Sequence, residues 1–142
     1  MISNAISNSN GTQKVPGGEA PSNPELINNG NFEDGQEGWL VGPKVTFSEG
    51  QATLGPPAKP PYAVIGQAIL EDEVSYDVII DVVAVPEEGR ADVLDGRNTS
   101  VFTITSTGQN SFSFTNSTGS IFSITSTGEV LTVSNVSVKK QE

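Results

Sequence analysis

VFTITSTGQNSFSFTNSTGSIFSITSTGE, Val101 to Glu129, carries one pattern three times at a ten-residue spacing, and its reading decides the fold. Phe102 and Ile104, Phe112 and Phe114, and Phe122 and Ile124 all occupy even positions. Period-two geometry puts each pair on one face of a strand, with Ser and Thr on the other face, in water. Three short strands are therefore expected here, with all six large side chains in a core. Short strands at this interval belong to a sandwich or barrel; a solenoid would need the similarity to run further along the chain.

Outward from this stretch the same texture continues. Leu131 and Val133 sit on odd positions and Val136 and Val138 on even ones, so a β-bulge is expected across Ser134 and Asn135. Upstream, Val45 and Phe47 alternate, as do Ala52 and Leu54, and Glu49-Gly50 between them reads as the turn of a hairpin. The strands expected next are Val64 to Ile69 and Val74 to Val85. The run VIIDVVAV in the second has little polar alternation, which predicts cover on both faces and requires a partner or an edge position for Asp81. Between hairpin and strand, GPPAKPPY (Gly55 to Tyr62) is a stiff loop or sheet edge, because its four prolines remove backbone donors.

Composition agrees with many strands and tight turns: the chain has 142 residues, 15 Gly and 9 Pro, and only 17% charged residues. One domain is the natural size. Residues 1–24 contain only Ile2, Ile6 and Val15 as large apolar groups, too few to bury, so they read as an extended arm preceding a domain over 25–142. Those three side chains are the arm's candidate partner contacts. Up to Asn10 there is neither a basic start nor an apolar run, so no secretory signal is expected and synthesis in a cytoplasm is.

With no Cys and no His, disulfides, thiolate or imidazole zinc sites and the usual nucleophilic triads are excluded. A net charge of −10 repels phosphate, so neither nucleic acid nor an anionic membrane is expected as a partner. Carboxylates gather at Glu33-Asp34, Glu71-Asp72-Glu73, Glu87-Glu88 and Asp92 with Asp95. Most lie beside Gly or at strand ends, where solvated turns account for them. Asp92-Val-Leu-Asp95-Gly96 lacks the alternating ligands of a calcium loop and reads as a turn. No catalytic residue is assigned, and the protein is not expected to be an enzyme.

Three stretches carry a resemblance: ELINNGNFEDGQEGWLV (Glu25 to Val41), QAILEDEVSYDVIIDVVAV (Gln67 to Val85) and LTVSNVSVK (Leu131 to Lys139). In this order the chain resembles the jelly-roll carbohydrate-binding modules attached to xylanases and cellulases, and related domains of phage virion proteins. The resemblance covers nearly everything after residue 25. It implies an all-β antiparallel sandwich, a jelly roll, with its first and last strands close together. It makes Trp39 of the Gly-Trp pair a packing residue, while Tyr76, in its strand, is expected in the core.

Family members often hold a structural calcium with the Glu of the first motif and an Asp just before NVSV. Glu33 matches the first position and Ser134 stands at the second. The expectation is therefore no cofactor, with Glu33 kept as the candidate ligand of a weakly held calcium. Sugar binding asks for an aromatic platform, and Tyr62 alone is left for that role.

The reading that gathers most of these features is a non-enzymatic virion structural protein. It would be a capsid decoration or cement protein on the virion surface, attached to capsid subunits through its arm and loops. A homo-oligomer is expected with it, and a trimer is the state the resemblance implies. The alternative is a carbohydrate-binding module recognising a host-surface or polysaccharide glycan.

Overall fold

The computed structural model describes residues 24–56 and 62–141. Ile2, Ile6 and Val15, the expected arm contacts, lie outside the described residues, as does the body of the proline-rich loop, residues 57–61. Among the described residues ten strands follow in order: β1 Leu40–Val41, β2 Val45–Ser48, β3 Gln51–Leu54, β4 Ala63–Ala68, β5 Val74–Ala84, β6 Ala91–Leu94, β7 Ser100–Thr103, β8 Gly108–Asn116, β9 Ile121–Ser126 and β10 Leu131–Lys140. They form two five-stranded sheets, β1-β4-β9-β6-β7 and β2-β3-β10-β5-β8. All pairings are antiparallel. The fold is the expected all-β sandwich. No helix of the described residues is long and apolar enough to cross a membrane.

The hairpin of β2 and β3 pairs Val45 with Leu54 and Ser48 with Gln51. Glu49 and Gly50 between them both have positive φ, 53° and 75°, the two-residue turn whose twist matches the flanking strands. The expected bulge is present: Val133 faces Val82 and Asn135 faces Asp81, leaving Ser134 without an opposite residue. First and last segments do meet, since the Leu26 amide donates to the Val138 carbonyl at 2.9 Å and the Val136 amide to that of Gly30 at 2.9 Å.

The NGNFEDGQEGW loop is organised by Asn29. Its side-chain nitrogen donates to the carbonyls of Gly35 and Glu37, its oxygen accepts the Asp34 amide, and its own carbonyl accepts the Trp39 indole N–H at 3.0 Å. Trp39 is thereby held in the core, stacked on Phe32 with ring centroids 5.3 Å apart.

Tyr76, Ile104, Phe114, Phe122 and Ile124 are buried as well. Phe102 and Phe112 are corrections: both are only half-buried and pack against the rim of the core. The reason is position in the sheets. The three repeats do not form neighbouring strands; β7 and β8 are edges of opposite sheets, while β9 lies at the centre of its own. Phe122 has strands on both sides and Phe102 on one, so similar sequences are buried differently.

A second correction concerns VIIDVVAV. Val78, Ile80 and Val82 face the core, whereas Ile79 and Val83 stay 36% and 46% exposed on the outer face of β5. The strand is covered on one face only. Asp81 shares that outer face and is half-buried rather than enclosed, which removes its need for a partner.

Candidate functional site

The outer face of the first sheet is built in rows across its strands. Opposite residues share a face in an antiparallel ladder, so Ile65, Ile124, Val93 and Phe102 form an inward row. The rows on either side point outward. One runs Leu40, Gly66, Ser123, Leu94 and Ser100; the other runs Val64, Thr125, Asp92 and Thr103. At the usual strand spacing each row spans about 15 to 20 Å.

The half over β1, β4 and β9 is apolar. A groove of 270 Å³ lies there, lined by Leu40, Val41, Gly42, Val64, Gly66, Ile121 and Ser123. Glycine forms its floor for a steric reason: a Cβ on Gly42 would stand 2.5 Å from Val64 Cγ1, and one on Gly66 would stand 2.7 Å from the Phe122 carbonyl oxygen. Leu40, 55% exposed, stands on its wall.

The half over β6 and β7 is polar. Asp92 is 8% exposed although it sits on the outward face. Its Oδ1 accepts from Arg90 Nη2 at 2.9 Å, Ser100 Oγ at 2.9 Å and Thr103 Oγ1 at 2.8 Å, and its Oδ2 accepts from Arg90 Nε at 3.1 Å. Burial alone would raise the Asp92 pKa, but these donors and the Arg90 charge outweigh it, and the carboxyl sits below the usual carboxylate range. Arg90 Nη2 also donates to Thr103 Oγ1 at 3.1 Å, and the guanidinium keeps Nη1 for a group arriving from solvent.

Tyr62, 39% exposed, precedes β4 one step beyond the Ala63–Ser126 pair, which puts it at the end of this sheet. Trp39 and Tyr76 are buried and present no face to a ligand. Glu33 stands exposed in the N-terminal loop, its amide held by Asn31 Oδ1 at 3.1 Å. Among the described residues no three His, Cys, Asp or Glu side chains gather closely enough to hold a metal ion together. Asp95 is the hub of a turn: its Oδ1 accepts the amides of Arg97 at 2.9 Å and Thr99 at 3.0 Å.

A second groove, of 370 Å³, lies at the far end of β5 between Ala84, Val85, Glu87, Glu88, Glu129 and Val130. Its carboxylates have no base or cation among the lining residues to set them apart.

Sequence reading treated the Asp92 segment as a turn and assigned no role to Arg90. The signal that would have found them together is Arg90-Ala91-Asp92 itself, since opposite charges two apart on a strand share a face. Gln67 was missed too: buried, it pairs with the Asn28 backbone, accepting at 3.0 Å and donating at 2.7 Å, and so ties the first sheet to the N-terminal segment.

No family model matches the chain, and no curated protein matches it in sequence. Solved structures do match in shape. The second N-terminal cellulose-binding domain of Cellulomonas fimi β-1,4-glucanase C superposes with a TM-score of 0.54 at 16% identity, covering 86% of this chain and 97% of that one. A point mutant of a carbohydrate-binding module of family 29 gives 0.53 at 13% identity, covering 82% and 89%. Another single-residue variant of a family 29 module, made to probe ligand recognition, gives 0.53 at 12% identity with the same coverage. The chain has the fold of these carbohydrate-binding modules.

Proposed function

We propose that the protein is a non-catalytic glycan-binding module that uses the outer face of its first sheet. The observation that carries this is the ordered surface itself: an apolar, glycine-floored groove runs directly into a saturated Asp92–Arg90 cluster on the same rows of one sheet. A sugar ring offers a C–H face and a rim of hydroxyls. Leu40, Val64 and Ile121 suit the first, and Arg90 Nη1 with the hydroxyls of Thr125 and Ser100 suits the second. Tyr62 adds an exposed aromatic ring at the sheet's end. The bound chain would run across the strands, and the charge of −10 favours an uncharged glycan over an anionic one.

The fold shared with cellulose-binding and family 29 modules supports this reading over capsid decoration. The decoration reading rests on Ile2, Ile6 and Val15, which are outside the described residues, and no feature of the two sheets favours it. Screening the full chain on a glycan array tests the proposal, followed by calorimetry of any hit against Leu40→Ser, Tyr62→Ala and Arg90→Ala. Binding lost in the groove variants supports it; binding to no glycan, or unchanged in all three variants, overturns it.

A further inference from the structure

The described strands leave four sheet edges, and they are not alike. β1 has 2 residues, β2 and β7 have 4 each, and β8 has 9. Residues Gly108 to Asn116 pair with Val82 to Val74 of β5 without a register shift, so β8 is a regular strand about 30 Å long. No described strand pairs with its other side.

Natural edges of this length are usually blunted by Lys, Pro, a bulge or an inward charge, because unpaired amides and carbonyls recruit another strand. GQNSFSFTN has none of these devices. It is uncharged in a chain of net charge −10.

A second feature lies at the same margin of the molecule. β7 and β8 are the edges of the two sheets on one side of the sandwich, and Phe102 of β7 stacks on Phe112 of β8 with centroids 4.3 Å apart and planes 2° from parallel. These are the two phenylalanines of the repeat that remain half-buried. A backbone edge that no described strand pairs with and a half-buried aromatic pair thus share one border.

We infer that this border is a docking surface for a second copy of the chain, with β8 pairing antiparallel to its counterpart. Antiparallel pairing of a strand with itself obeys a twofold axis, so the contact is self-complementary and closes at two subunits. It joins the two β8-edged sheets into one and brings the second copy over the Phe102–Phe112 pair. The occupant is a second copy because two chains of the same strong charge approach at least cost where neither carries charge, and this edge is a long stretch that meets that condition. The inference is independent of the glycan reading.

Sedimentation equilibrium of the full chain tests it, together with cross-linking. At about 100 µM a dimer in equilibrium with monomer is expected. Ser111→Lys, on the exposed outer face of β8, sets like charges across the new ladder and should raise the dissociation constant about tenfold with an unchanged circular dichroism spectrum. The chain has no cysteine, so Ser111→Cys and Thr46→Cys, the latter on the opposite edge strand β2, report cleanly with a short bis-maleimide. Covalent dimer from Ser111→Cys but not from Thr46→Cys supports the inference, and this readout still decides should Ser111→Lys fail to fold. A monomer at that concentration, a trimer, a folded Ser111→Lys that dimerises undiminished, or equal cross-linking at both positions overturns it.

Discussion

Arg90 and Asp92 interlock side-on across one intervening residue, Nε to Oδ2 at 3.1 Å and Nη2 to Oδ1 at 2.9 Å. The exposed guanidinium is held still by a carboxylate that is itself nearly enclosed, with Ser100 and Thr103 both donating to the Oδ1 that Nη2 also meets. Asp92 therefore positions Arg90, and under the proposed function Arg90 is the group that meets a ligand.

Asp92→Asn should separate these roles. The amide nitrogen it introduces faces guanidinium donors instead of accepting from them, and a buried hydrogen-bond partner is lost at a cost of about 1 to 3 kcal/mol. Urea denaturation should show that loss. In Arg90→Ala, where Ser100 and Thr103 still hold the carboxylate, the loss should be smaller, while glycan affinity falls in both variants.

Asn116 is fully buried and spends its whole side chain on loops. It donates to the Glu71 and Gly119 carbonyls, each at 2.9 Å, and accepts the Gly96 amide at 2.9 Å. Asn116→Ala takes the partner from three part-buried backbone groups and should cost about 1 to 3 kcal/mol in denaturant titration. Asn116→Asp should be worse at neutral pH, because a carboxylate would face two carbonyls, and partly relieved on acidification. Equal stability of the two variants at pH 7 would contradict this account.

Such residues mark where sequence reading stops. The alternation through Phe122 and Ile124, the turn at Glu49-Gly50 and the bulge at Ser134 are local patterns, and strand geometry translates them directly into structure. Whether a strand is an edge is not local. Phe102 and Phe122 occupy equivalent places in the repeat, yet only sheet order leaves one half-exposed. The exposed Ile79 and Val83 misled for a related reason, since apolar residues on an outer face look the same in sequence as residues covered on both sides. Asn116, Gln67 and the Asp92 cluster depend on partners distant in sequence or on the next strand. The candidate site was legible only as Tyr62.

Two glycine substitutions separate crowding from backbone strain. Gly108 has φ of 92° with open space where a Cβ would be, so Gly108→Ala should cost only the left-handed conformation, about 1 kcal/mol. A Cβ on Gly128 would run into the Glu88 carbonyl oxygen, where two loops touch through backbone. Gly128→Ala must move one of those loops and should cost clearly more in thermal melts.

Acid should reveal the Asp92 cluster. Because the folded pKa of Asp92 lies below its unfolded value, the stabilisation is fully present above the unfolded value of about 3.9 and is lost as pH falls through the lower folded one. Asp77 is also lowered, by hydrogen bonds from Ser113 and then Gln141, but it is exposed and water screens its contribution. Stability of the unaltered chain should therefore fall steeply below about pH 4, and the fall should be shallower in Asp92→Asn than in Asp77→Asn. Denaturant midpoints measured from about pH 6 down to about pH 2.5 check this, and equal acid slopes in the two variants would remove Asp92 from its role as the buried anchor of the site.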